Sequence, residues 1–393
     1  MPAVRVLFLN PFSQHVSGPD ETLLATLEVL IPRGLEAHVV LPAPGPLVSR
    51  YQQLGATIHY APLSILRRRV SPWEIASLGA RVTRGTLAVM SIARAVRADV
   101  IDTNMEVVLD GGIAARLLDL PHVLHYRGNT LDEPKLVFDG LTAIWAGLSD
   151  RIFCISNLTA QIFRRRGRGA KVTALYDPVD IHGFARAERS ADVRQQLGAA
   201  NELEQLVGTV ARIHPRKDLV TFIEACALLA PQLPNARFVI VGDAHAPEER
   251  AYERTLRALV ARRGLTDRFC FAGARSDMPE VFKALDVFVL SSRHEGFGRV
   301  VPEALAAGKP VVISREGALT ELIEEGREGF FATSEEPAEF AHHIARLLQD
   351  DPLRSRLGTA AVARARLFDA TLLSGKVMDE YLALTDSTSR AVA

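Results

Sequence analysis

Cysteine is scarce in this chain, net charge is absent, and long apolar runs are missing; each shortage excludes something. The three cysteines, Cys154, Cys226 and Cys270, stand far apart among 393 residues. An odd, scattered set makes no disulfide framework, and each lies in an apolar strand or helix pattern, so all three read as reduced core residues of a cytosolic protein. Lys plus Arg and Asp plus Glu both number 46, so no global field draws the chain to nucleic acid or to an anionic bilayer. The strongest basic run, RRRGRGAK at 164–171, has no aromatic residues interleaved for stacking on bases, and no nucleic acid is expected as a partner. No apolar stretch approaches the roughly 18 residues of a spanning helix. The first residues, MPAVRVLFLN, are too short and too strand-like for a signal peptide. The expectation is a cytoplasmic protein whose contact with a membrane is at most peripheral, at its inner face.

What is present is alternation. Hydrophobic residues make up 48% and charged residues 23%, the balance of a globular protein, and the length suits two α/β domains of about 180 residues each. Strand patterns at 4–10, 37–41, 56–61, 100–104, 122–127, 151–156 and 171–176 alternate with helical ones at 20–31, 47–54, 72–97, 107–118 and 156–165. A second series begins at 205–212 and continues at 236–243, 268–273, 286–292 and 310–314, with a helix over 218–230 and another starting in EGALTELI at 316. Such alternation implies parallel sheets covered by helices. From 335 to about 384 the pattern is helical, interrupted at Pro352 and Phe368.

The densest chemistry lies at 291–312, SSRHEGFGRVVPEALAAGKPVV. Here Glu295 and Glu303, with seven residues between them, flank a Gly296-Phe297-Gly298 turn that follows an apolar strand and opens a helix. In an open α/β sheet the ends of strands are where ligands bind. Glycines let a ligand lie against the main chain, and a helix start offers N–H groups to a phosphate. Pro302 fits the first turn of that helix. Taken singly, Glu303 reads as an acid complementing the helix dipole and Glu295 as a solvated loop residue; together they frame one anion-ready loop. Two other loops fit the same chemistry. Gly18 precedes a helix with Asp20 as its expected cap, and Arg212 and Lys217 bracket the loop after the strand at 205–212, where fixed cations would stabilise a departing diphosphate. His214 and Arg216 in that loop read as solvent-facing. Arg67, Arg68 and Arg69 read as a solvated face, with an acceptor loop or a lipid contact as the other readings.

The run Glu295, Gly296, Phe297, Gly298, Pro302, Glu303, Ala304, Leu305, Ala306, Gly308, Pro310, Val311, Val312 resembles the signature of the retaining glycosyltransferases of family 4. The resemblance implies the α/β GT-B fold, two facing Rossmann-like parallel-sheet domains with a deep interdomain cleft. Residues 1–180 would form the N-terminal acceptor-binding domain, 181–367 the C-terminal nucleotide-sugar domain, and 368–393 a helix crossing back to the first. It implies transfer of a hexose or N-acetylhexosamine from a nucleoside-diphosphate sugar, UDP being the family's commonest, to an acceptor hydroxyl. By the same resemblance Arg212 and Lys217 hold the diphosphate, Gly18 lets it approach the main chain, and His125, near a strand end, contacts the donor sugar. Glu295 takes hydrogen bonds from sugar hydroxyls and Glu303 from the ribose diol, a task suited to groups that only accept. The amides of Phe297, Gly298, Arg299 and Val300 support sugar and phosphate. Gly273 opens a loop near the base, where Arg275 either stacks on it or lies on the surface.

The chain departs from the family at three places: Asp177-Pro178 stands for Asn-Gly, and Ala244 and Ala318 stand for glycines. No Asp-x-Asp site with supporting context is present, so neither a metal nor a cofactor is expected. Two rivals keep the architecture: a nucleotide-sugar epimerase, which needs protein acids and bases for elimination and readdition, and a non-catalytic nucleotide-sugar binding subunit.

Overall fold

A computed structural model describes residues 4–14, 17–66, 72–128, 135–167 and 169–392. Arg67, Arg68 and Arg69, Asn129, and Arg168 of the second basic cluster lie outside the described residues. The chain divides into two compact units, Met1–Pro178 with Ala370–Ala393, and Val179–Asp369.

The first unit is built on seven strands: β1 (Val4–Leu9), β2 (Leu35–Leu41), β3 (Thr57–Tyr60), β4 (Val100–Thr103), β5 (His122–Tyr126), β6 (Arg151–Cys154) and β7 (Val172–Ala174). All pair in parallel, in the order β3-β2-β1-β4-β5-β6-β7. Strands buried on both faces read as largely apolar runs; β4 is buried at all four positions, the polar Asp102 and Thr103 included. The helix Ala370–Val392 belongs to this unit, and its Leu373, Val377, Tyr381 and Leu384 join the core formed by β1, β2 and the helix Gly18–Leu30. Because the chain runs from β1 outward to β3 and then resumes at β4 on the other flank of β1, a switch point falls between β1 and β4.

The second unit has six parallel strands, β8 (Gln205–Val210), β9 (Ala236–Val241), β10 (Phe269–Gly273), β11 (Val287–Leu290), β12 (Val311–Ser314) and β13 (Gly329–Ala332), in the order β10-β9-β8-β11-β12-β13. Its switch point falls between β8 and β11. The core lies between this sheet and the helices Leu219–Leu229 and Pro337–Gln349, with Phe222, Phe238 and Phe340 fully buried. Among the described residues no helix is long and apolar enough to cross a membrane.

Several expectations change. Ser17, not Asp20, caps the helix Gly18–Leu30; Asp20 is the third helical residue and reaches back to accept the Ser17 N–H at 2.8 Å, the return half of a capping box. EGALTELI forms only the 3₁₀ turn Gly317–Glu321. The helical C-terminal part breaks at Asp350, whose carboxylate caps Asp351–Ala365, so Pro352 opens a helix instead of interrupting one. Cys154 and Cys226 are buried, but Cys270 is only half-buried.

Candidate active site

The loops that leave the C-terminal ends of β8 and β11 meet at the second unit's switch point, the place where open sheets bind ligands. Hydrogen bonds stitch them together. Ser291 donates its hydroxyl to the Asp218 carbonyl at 2.9 Å, and the Arg293 N–H donates to the Arg216 carbonyl at 3.0 Å. Asp218 takes a left-handed φ of +46°, and its fully buried carboxylate pairs with Arg293 at 3.3 Å. His214 is not idle: its Nδ1 accepts the Arg216 N–H at 3.1 Å and so closes the turn Pro215–Lys217.

Two cations and two glutamates project from this frame. Lys217 forms an ion pair with Glu295, both largely shielded from solvent. Arg212 is more exposed and donates from Nε to Glu249 at 2.7 Å. Glu249 is a participant that the sequence reading missed. It sits in the first turn of the helix Pro247–Arg262 and accepts the N–H groups of His245 and Ala246 at 2.9 and 3.1 Å. Burial alone would push its carboxyl up, but these amides and the Arg212 guanidinium outweigh it and hold the group below the ordinary glutamate value. The signal was present in Ala246-Pro247-Glu248-Glu249, proline at a helix start with an acid at the third position.

In the central turn the residues divide between support and exposure. Phe297 is 3% exposed and packs edge-on against Phe368 at 5.9 Å, so its side chain holds the loop down. Gly296 occupies the bend before it. Gly298 has φ +84°, and a Cβ there would lie 2.5 Å from Leu319 Cδ2. Gly317, with φ +51°, lies against the Glu295 carbonyl, 3.0 Å from where its own Cβ would stand. Arg299 caps the helix Val300–Ala306 and donates to Glu303 at 3.0 Å. That helix is only seven residues long. Its macrodipole is correspondingly weak.

Gly273 ends β10 with φ +70° and open space beside it. Arg275 donates to Asp277 at 2.8 Å and to Gln196 at 2.9 Å.

In the first unit, no atom of the described residues beyond Gly18's chain neighbours and its own helix backbone lies within 4 Å of where a Gly18 Cβ would be. The preceding loop is anchored by Asn10, which donates to the fully buried Asp20 at 2.8 Å. Across the switch point Asn104 donates to Asn10 at 3.3 Å. Arg127 follows β5 with its side chain 4% exposed, donates to the Asn104 carbonyl at 2.9 Å and forms an ion pair with Asp177. The departure at Asp177 therefore supplies a buried partner for a buried arginine. His125, 13% exposed, bonds through Nε2 to Asp102 at 3.0 Å. His122 is buried lower on the strand, with Nε2 on Thr103 at 2.9 Å and Nδ1 on the Leu148 carbonyl at 3.0 Å. Among the described residues no group of three or more His, Cys, Asp or Glu is arranged to hold a metal ion.

Comparisons with known proteins agree on a family. Residues 192–364 match the family model described as glycosyl transferases group 1, and residues 16–182 match that of Glycosyltransferase Family 4. The D-inositol 3-phosphate glycosyltransferase of Stackebrandtia nassauensis is 27% identical over 398 residues, covering 95% of this chain and 88% of that one. The lipopolysaccharide core biosynthesis mannosyltransferase LpsB of Rhizobium meliloti is 29% identical over 219 residues, 54% of this chain and 62% of that one. The crystal structure of Anabaena HepE in complex with UDP superposes with a TM-score of 0.81 at 26% identity, covering 97% of this chain and 100% of that one; the same protein has also been solved with UDP-glucose. With two Rossmann-like parallel sheets and matches over both units, this chain belongs to the group 1, family 4 glycosyltransferases of the GT-B fold.

Proposed function

We propose that this glycosyltransferase moves a hexose or N-acetylhexosamine from a UDP-sugar to an acceptor hydroxyl, with retention at the anomeric carbon and without a metal ion, in bacterial glycan, glycolipid or glycosylated-metabolite synthesis. The observation that carries the reading is the Lys217–Glu295 pair at the switch point of the second unit, with Arg212 at the start of the loop that carries Lys217. It sets a cation suited to a diphosphate against a carboxylate suited to sugar hydroxyls, which supports the reading. The UDP and UDP-glucose complexes of Anabaena HepE support the choice of nucleotide.

In this reading Arg212 and Lys217 take the charge that develops on the β-phosphate as the bond from C1 to the phosphate oxygen breaks. Arg supplies a planar fork and Lys a compact point charge, and both act most strongly on the transition state. Glu295 accepts from sugar hydroxyls and Glu303 from the ribose diol. The amides of Gly296, Phe297, Gly298, Arg299 and Val300 line the sugar and phosphate. Gly273 and Arg275 border the base, Gly18 adds a main-chain approach for the diphosphate, and His125 contacts the sugar. The acceptor oxygen forms its bond to C1 on the face the phosphate leaves, and the acceptor's proton passes to the departing phosphate oxygen. Neither glutamate acts as a nucleophile.

Calorimetric titration of the purified full chain with UDP, GDP and ADP tests the donor, with Glu303→Ala alongside. The expected result is selective binding of UDP, weakened in the variant by about 1–3 kcal/mol through loss of charged hydrogen bonds. A well-folded protein that binds none of the three would overturn the reading. NMR of the anomeric proton in the product of an acceptor screen tests retention.

A further inference from the structure

Asp102 is fully buried in β4, and the two oxygens of its carboxylate are used unequally. Oδ2 receives both the His125 imidazole from Nε2 at 3.0 Å and the Tyr381 hydroxyl at 2.7 Å, whereas Oδ1 is buried with no hydrogen-bond partner among the described residues. A buried carboxylate with half its acceptor capacity unfilled costs stability. Stability alone would favour a smaller or neutral residue at this position, and such a cost is characteristic of groups kept for what they do to a neighbour.

The neighbour is His125. A neutral imidazole carries one proton, and a hydrogen bond at one nitrogen decides which lone pair the other presents. A carboxylate can only accept, so at 3.0 Å it selects the tautomer protonated on Nε2. Nδ1 is then the acceptor. The Phe153 ring, with its centroid 5.3 Å from that of His125, restricts the ring's remaining freedom. Tyr381, on the helix Ala370–Val392, is fully buried; burial and the adjacent Asp102 push its phenol well above the ordinary value, so it stays a donor.

We infer that Asp102 and Tyr381 are positioning residues for His125. Tyr381 fixes the carboxylate, the carboxylate holds His125 in the Nε2–H tautomer, and Nδ1 accepts a hydroxyl of the donor sugar. The inference rests on the assignment of His125 to the sugar under the proposed function. Its distinguishing content is the tautomer, which a carboxylate serving only to tie the helix Ala370–Val392 to β4 would have no need to control.

The test uses the full chain labelled with ¹⁵N-histidine, the His125 signals assigned by their loss in His125→Gln. At pH 8 the wild type should show His125 protonated on Nε2 alone, and Asp102→Asn should show a mixture of tautomers. With UDP-glucose as the probe and release of UDP as the readout, Asp102→Asn should lower kcat ~10-fold or more while changing the KM for UDP-glucose less than about threefold. Asp102→Asn added to His125→Gln should cost nothing further, as expected for residues acting as a unit. Tyr381→Phe removes one hydroxyl and serves if Asp102→Asn fails to fold; a loss of ~3-fold or more in kcat with unchanged UDP binding supports the inference. An Nδ1–H tautomer in the wild type, or full turnover in both variants while His125→Gln is impaired, overturns the positioning role alone. Full turnover in His125→Gln overturns the sugar assignment as well, and the inference falls with it.

Discussion

Lys217 and Glu295 form an ion pair that joins the loop after β8 to the loop after β11, 78 residues further along the chain. The pair holds an acceptor and a cation side by side at the switch point, and the proposed roles separate them. Lys217→Ala should weaken UDP binding by about 1.5–3 kcal/mol, the range for hydrogen bonds to charged groups. Glu295→Gln should leave UDP binding within about threefold and lower the release of UDP from UDP-glucose by ~100-fold. Calorimetry and a UDP-release assay on the two variants measure both, and undiminished turnover in Glu295→Gln would remove Glu295 from the reaction.

Gly298 predicts a backbone effect. Its φ of +84° is in the left-handed region, and a Cβ would sit 2.5 Å from Leu319 Cδ2. Gly298→Ala should therefore cost about 1–2 kcal/mol from the conformation, plus whatever shift of Leu319 is needed. Urea unfolding gives the loss directly. UDP affinity should fall as well, since Phe297 and Arg299 on either side are tied to that backbone.

Glu249 should act through Arg212. Glu249→Ala removes the acceptor for two amides at the start of the helix Pro247–Arg262 and for the Arg212 guanidinium. Loss of such a cap costs ~1 kcal/mol of stability, and freeing the arginine should weaken UDP binding too. Arg212→Ala and the double variant then complete a cycle. A double variant no weaker in UDP binding than Arg212→Ala alone places the binding effect in the arginine.

His122 should make stability depend on pH. Burial lowers its pKa to about 4 from an ordinary 6.5, so between those values the unfolded chain binds a proton that the folded chain refuses. Stability contributed by the neutral ring is therefore present above pH 6.5 and is lost as pH falls towards 4, by about 3 kcal/mol in the limit. Asp110 works against it: burial raises its carboxyl to about 6, so the folded state binds the extra proton between 3.8 and 6, and stability grows as pH falls through that window. The difference between wild type and His122→Gln, measured by urea unfolding at pH 7 and 5, isolates the histidine. The wild type should lose more stability than the variant on acidification.

What could be read from the sequence was local. The strands β1, β8, β9 and β11 stand out because a parallel strand with both faces covered is mostly apolar, and Arg212, Lys217, Glu295 and Glu303 stand out because they cluster around glycines at strand ends. β13 escaped notice because it is four residues long, GFFA, and begins with a glycine whose Cβ would lie 2.1 Å from the Val311 carbonyl. The helix Pro247–Arg262 was hidden by charge on its exposed face. Partnerships between distant residues left no local trace: Arg212 with Glu249 spans 37 residues, and Asp102 with Tyr381 spans 279. The expected cap at Asp20 failed for a related reason, since serine and aspartate three residues apart can each play either half of a capping box.

The first unit takes its last helix, Ala370–Val392, from beyond the whole of 179–369. On the ribosome, then, the part made first is the part completed last. Residues 179–369 emerge as a whole unit, while the core around β1 and β2 still lacks Leu373, Val377, Tyr381 and Leu384. The ordinary expectation that domains fold in the order of their synthesis should therefore be reversed for this chain. A nascent chain stalled before residue 370 carries an uncovered apolar face on its N-terminal unit, the kind of surface to which chaperones bind.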